Sequence, residues 1–207
     1  MGAIKNSYMR LILSSFLIIL LFSIISCGTP NNTTPELPKT ETKPKEEALK
    51  YDWVKCEECF VEIQKPQGWF FSKSINPNGF EYYFTPENFN DTRVFKRGFS
   101  LTVLTEVKKS INIAPSQQIE KFINNAKTID PQLNVKKIDM QELQGFSFLL
   151  KDPSQSPDSL VSSIFLIAND KTDVMYTFVF QYEKKDWDKM FVIGGHMLKN
   201  IKVSKEY

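Results

Sequence analysis

The chain has 207 residues, 42% hydrophobic and 13% aromatic, which is enough for one folded domain with appendages and excludes a wholly disordered chain. Its formal charge of +2 comes from the N-terminus: Lys5 and Arg10 stand in the first 26 positions with no acid beside them, and the remaining basic residues balance the acidic ones. A neutral domain lacks the positive field that neutralises phosphates, so no nucleic-acid partner is expected.

Lys5 and Arg10 precede Leu11–Ile25 (LILSSFLIILLFSII), an apolar run broken only by serines. The run is shorter than the about 20 residues a bilayer crossing needs, and it suits the apolar region of an export signal. Ile24-Ile25-Ser26-Cys27 then resembles the bacterial lipobox, with an aliphatic residue three places and a small residue one place before the cysteine. It departs from the common pattern in having Ile rather than Leu at the first of these places and bulky Ile25 at the second. The resemblance implies a signal peptide over 1–26, cleavage before Cys27 and a diacylglyceryl thioether on its sulfur. The implied partner is a lipid bilayer, held through acylated Cys27, because two acyl chains anchor far more firmly than one. The implied address is the cell membrane or the outer membrane, with the rest of the chain on the exported side. An uncleaved N-terminal anchor is the alternative.

Thr29–Lys50 carries Pro30, Pro35, Pro38 and Pro44 among alternating charges. It buries too little apolar surface to offset ordering, so 27–50 reads as a lipidated cysteine plus a disordered tether, and 51–207 as the globular domain. At the start of that domain stands Cys56-Glu57-Glu58-Cys59. With Cys27 lipidated, these are the remaining cysteines, and in an oxidising compartment a disulfide is the first reading. Reduced thiols, a thiol–disulfide redox site and a shared zinc site stay open. A strand rather than a helix follows the pair, which counts against a thioredoxin-like motif, and Phe60 replaces the His that haem attachment needs.

Phe60–Gln64 alternates like a strand, Lys65–Gly68 turns the chain into Trp69-Phe70-Phe71, and Asn76-Pro77-Asn78-Gly79 is a strong turn before Phe80–Phe84. In Phe89–Arg97, the basic residues Arg93, Lys96 and Arg97 stand with the aromatic Phe95. Arg and aromatic side chains are favoured interface anchors, so this loop is the candidate binding patch. Against it, Phe95 packing inward and solvated basic side chains would leave a plain surface loop. Phe99–Val107 reads as a strand with Phe99, Leu101 and Val103 on one face. Ser116 reads as the N-cap of a helix bearing Ile119, Phe122, Ile123 and Ala126 at helical spacing. Gln144–Leu150, Val161–Ala168 and Val174–Gln181 read as an antiparallel meander. Its middle strand is apolar on both faces, with Phe165 and Ile167 on one and Ile164, Leu166 and Ala168 on the other, which calls for cover above and below. A last helix from about Asp186 places Trp187, Met190, Phe191, Gly194 and Leu198 on one stripe, with Ile201 beyond and the sole histidine, His196, on the opposite, solvent face. The class expected is α+β, an antiparallel β-sheet with helices packed on both faces.

The order of Pro66-Gln67-Gly68-Trp69, the aromatic Tyr82-Tyr83-Phe84, the Arg97–Val103 strand, the Pro115-Ser116 helix opening, the meander and the final helix resembles the PsbP/Mog1 superfamily. The resemblance covers about residues 52–204. It implies an α/β/α sandwich and a non-catalytic protein-binding or assembly role, with an envelope protein as partner. No residue set points to catalysis: the chain has no G-x-S-x-G, no phosphate-cradling glycine loop and no H-E-x-x-H. No catalytic residue, metal or cofactor is therefore expected. Two other readings stand beside this one. One is a small-ligand carrier with an aromatic-lined cleft at Trp69, Tyr82 and Tyr83, and the other is a redox protein using Cys56 and Cys59.

Overall fold

A computed structural model describes residues 49–88, 95–140, 143–152 and 156–204. The signal segment, Cys27, all of the tether but Leu49 and Lys50, and Arg93 lie outside the described residues. No helix among the described residues is long and apolar enough to cross a membrane.

The elements run β1 (Tyr51–Cys56), β2 (Val61–Pro66), β3 (Phe70–Asn76), β4 (Gly79–Thr85), β5 (Gly98–Leu104), α1 (Val107–Ile111), α2 (Pro115–Ile129), β6 (Lys136–Met140), β7 (Leu143–Lys151), β8 (Leu160–Asn169), β9 (Val174–Glu183), α3 (Trp187–Lys199) and β10 (Lys202–Val203). Seven strands form one antiparallel sheet in the order β3-β4-β5-β9-β8-β7-β6, and β1-β2-β10 form a second, three-stranded sheet. The β7–β8–β9 meander appears as the alternation and turns imply. The second sheet does not follow from the sequence pattern, because its third strand is only two residues long.

The turn at Pro77-Asn78 closes the β3–β4 hairpin with Asn76 opposite Gly79. Gly79 has φ +156°, and a Cβ there would collide with the Val103 carbonyl oxygen, so the hairpin can lie against β5 only with glycine at this position. β5 puts Phe99, Leu101 and Val103 in the core, but it ends at Leu104 rather than Val107. Glu106 takes a left-handed conformation (φ +52°), which breaks the extended run and starts α1, whose Lys108 N–H donates to Asp173 Oδ1 at 2.7 Å.

Side chains of β8 alternate into two layers. Ile164, Leu166 and Ala168 join Ile119, Ile123 and Ala126 of α2, while Phe165 and Ile167 join Ile193 and Met197 of α3 together with Val61 and Ile63 of β2. The fold is thus α+β, with helices on both faces of an antiparallel sheet. Two helix details differ from the sequence reading. The N-cap of α2 is Ala114, followed by Pro115, whose ring presets the first helical φ. Ser116 lies one place further in; its N–H (2.8 Å) and hydroxyl (2.6 Å) both donate to the Asp170 carboxylate, from the β8–β9 turn. In α3 the buried stripe is Ile193, Gly194 and Met197, flanked by Met190 and Leu198, whereas Phe191 is exposed and stacks on Trp187 at 4.9 Å. Gly194 sets this rotation: a Cβ there would collide with the Phe180 ring, so the helix lies down on its glycine.

Candidate functional site

The junction between the two sheets holds the most concentrated chemistry of the described residues. β1 ends at Cys56, a single 3-10 turn covers Glu57–Cys59, and Phe60 takes a left-handed conformation (φ +52°) that aims β2 back along β1. Cys56 caps that turn and Cys59 ends it, and both side chains turn into the core. They are 1% and 0% exposed, inside the core cluster shared by both sheets. Both are free thiols in the structure, and the Cys59 S–H donates to the Cys56 carbonyl oxygen at 3.5 Å. A hydrogen bond with Cys59, and then burial, push the Cys56 thiol pKa up.

Between the cysteines, Glu58 points outward and is gripped from the large sheet. Lys73 of β3 forms an ion pair with it, and the Tyr82 hydroxyl of β4 donates to it at 2.8 Å. These two bonds hold the Glu58 carboxyl down at about 2. Burial, and then the bond to Glu58, push the Tyr82 phenol up. This arrangement was not legible in the sequence, since Glu58 meets partners 15 and 24 positions away.

The sequence-picked basic loop is only partly described. Phe95 packs its ring on Tyr83 at 5.5 Å, and the Lys96 carbonyl accepts from Gln181 Nε2 at 2.9 Å. Arg97 pairs with Glu87 and stands 3.8 Å from Glu183 Oε1. Its charge is therefore met within the domain, beside Tyr182, whose phenol is pushed up to about 12 by burial. Among the described residues of the patch, Lys96 is the exposed cation and Arg97 is a brace for the end of the sheet.

An aromatic cleft beneath Trp69, Tyr82 and Tyr83 does not form. Tyr82 and Tyr83 are consecutive in β4 and point to opposite faces. Tyr82 sits in the core, while Tyr83 packs on Phe95 and donates to Glu81 Oε2 at 2.8 Å. A shallow depression elsewhere is lined by Lys55, Phe60, Glu62, Lys202, Val203 and Ser204. Its Lys202 already bonds Glu62 at 3.0 Å and lies 3.8 Å from the Trp53 ring centre. His196 is half-buried rather than solvated: Nε2 donates to Gln64 Oε1 at 2.6 Å and the ring stacks on Tyr51 at 3.9 Å, joining α3 to the small sheet. No group of three or more metal-ligating side chains occurs among the described residues.

One surface was missed by sequence reasoning. β3 is the edge of the seven-stranded sheet, and it exposes Phe70 (46%), Phe71 (42%) and Ile75 (68%). The signal available was the two-residue turn at Pro77-Asn78, which implies a strand of equal length on either side.

No family model and no curated protein matches the chain. Among solved structures, the domain is similar to cyanobacterial PsbP from Synechocystis (10% identity, TM-score 0.48, covering 79% of this chain and 98% of that one). It is similar also to LpqN of Mycobacterium tuberculosis, described as involved in cell envelope biogenesis (6% identity, TM-score 0.46, 77% and 94% covered). A third is the Ran-binding protein Mog1p of Saccharomyces cerevisiae (14% identity, TM-score 0.42, 75% and 96% covered).

Proposed function

We propose that this chain is a lipid-anchored module of a bacterial cell envelope, held through Cys27 with its domain on the exported side, which binds another protein and catalyses no reaction. The lipobox-like Ile24–Cys27 supports the anchorage. The observation that carries the binding role is the open edge at β3. Its outer N–H and C=O groups have no strand neighbour among the described residues, and Phe70, Phe71 and Ile75 are exposed along it. An extended apolar segment of a partner, laid along β3, would satisfy those backbone groups and cover those side chains.

The test places a photo-crosslinking residue at Ile75 or, as a control, at Lys136 on the opposite edge, in the full-length protein in its own membranes. A discrete adduct is expected from position 75 alone, and Phe71→Glu should remove it. Adducts of equal yield from both edges, or none from position 75, would overturn the edge as the binding surface. A Cys27→Ser change should abolish processing and membrane retention together. Normal cleavage with unchanged membrane fractionation would overturn the anchorage.

A further inference from the structure

We infer that Cys56 and Cys59 join in a disulfide as the domain folds in an oxidising compartment, and that this bond is a sealed structural brace rather than a working redox centre. The inference rests on the exported location proposed above. Three observations carry it. Cys56 caps and Cys59 ends one short 3-10 turn, and the Cys59 S–H bonds the Cys56 carbonyl oxygen at 3.5 Å, so the two side chains are held close together on the same side of the turn. Both residues are fully buried within one core cluster, so no oxidant or reductant reaches them once the domain has closed. The neighbouring Glu58 is tied to Lys73 and Tyr82, so the turn that presents the pair is itself fixed to the large sheet.

The chemistry balances as thiol–disulfide exchange. One cysteine, as thiolate, attacks a protein or small-molecule disulfide and releases a thiol. The second cysteine displaces the other half of the mixed disulfide, forming the Cys56–Cys59 bond. Two S–H bonds are lost, one S–S bond forms, and two electrons and two protons leave on the reduced donor. A redox centre needs an accessible sulfur, and here burial denies access to both. The brace forms during folding and is afterwards out of reach. Oxidation at this point records that the chain folded outside the reducing cytosol.

Thiol trapping on the full-length protein tests this. Cells are quenched in acid, and the protein is denatured and alkylated with and without prior reduction. The unreduced sample should take no label at Cys56 or Cys59 and be about 2 Da lighter before labelling, while the reduced sample takes two labels. In parallel, the full chain made in a reducing cytosol is unfolded and refolded in a glutathione redox buffer. Free thiols persisting at Cys56 and Cys59 there, with Cys27 replaced by Ser, would overturn the disulfide. A bond that forms in the buffer but is absent in cells supports the disulfide and overturns the exported address. Finally, the native oxidised protein is held with excess reduced glutathione. Retention of the bond supports the sealed brace, and complete reduction within minutes overturns it.

Discussion

The two faces of the seven-stranded sheet are built on different plans. The face toward α3 is aromatic: Tyr82, Phe84, Phe99, Phe165, Tyr176, Phe178 and Phe180 lie in one buried cluster, with Phe178 in ring contact with Phe99, Phe165 and Tyr176. It is covered by a helix, by the three-stranded sheet and by the Cys56–Cys59 turn. The face toward α2 is aliphatic, with Ile119, Ile123, Ile164, Leu166 and Met175 as its main buried members, and it is covered chiefly by that one helix. Large rigid rings in a layer pinned at several points leave cavities that cannot collapse. Branched aliphatics beneath a single helix allow it to settle into the space left by a lost group.

Four substitutions probe that contrast, and urea unfolding of the domain measures each. Phe178→Ala, at the centre of the aromatic face, should cost about 3–5 kcal/mol, near the whole stability of many domains. Ile119→Ala, fully buried under α2, should cost about 2–3 kcal/mol. A larger loss at Ile119 than at Phe178 would reverse the assignment of the stiffer face. Asp170→Ala removes the acceptor for the Ser116 N–H and hydroxyl and should cost about 1 kcal/mol, the size of a lost helix cap. It should leave the resistance of the Cys56–Cys59 bond on the other face to reduced glutathione unchanged.

The smallest effect is expected at Glu58, and it depends on pH. Its carboxyl is held at about 2 in the folded state, below the ordinary glutamate value, so the bonds to Lys73 and Tyr82 stabilise the domain above that ordinary value. Their contribution is lost as pH falls from about 4.3 towards 2. Because the pair is solvent-exposed, Glu58→Gln should cost no more than about 1 kcal/mol at neutral pH, and the difference from the unaltered protein should vanish near pH 2. A difference that stays constant from pH 6 to pH 2 would show that the ionised carboxylate contributes nothing there.

Much of this architecture was legible in the sequence where one pattern repeated long enough to fix a face. The meander showed itself through alternation and turns, and the two-sided apolarity of Val161–Ala168 called for two covering layers. Helix starts were less legible. Ser116 looks like an N-cap, yet the capping carboxylate is Asp170, 54 positions away, and distant partners leave no local trace. The stripe expected on the last helix packs as read at Trp187, Met190, Gly194, Leu198 and Ile201, and only Phe191 of it is exposed. The closest approach to the sheet is decided by the residue with no side chain, Gly194. At the candidate site, the cysteine spacing was visible, while the grip of Lys73 and Tyr82 on Glu58 was not. In the basic loop, the sequence does not show that Glu87 and Glu183 take up Arg97. The open edge at β3 was missed because which strand lies outermost is a property of the sheet's order rather than of any segment.

That order has a consequence in time. β5 pairs along its whole length with β9, from Gly98 opposite Gln181 to Leu104 opposite Met175, although some seventy residues of chain separate the two strands. A chain that emerges on the exported side from its N-terminus presents β5 some seventy residues before the partner that completes it. Until then its Phe99, Leu101 and Val103 have no β9 to lie beside, and the aromatic layer lacks its central strand. The domain thus cannot begin its final closure until nearly all of it has emerged. Folding is set by the arrival of the C-terminal third, so a chain shortened before Val174 should gain no stable sheet at all.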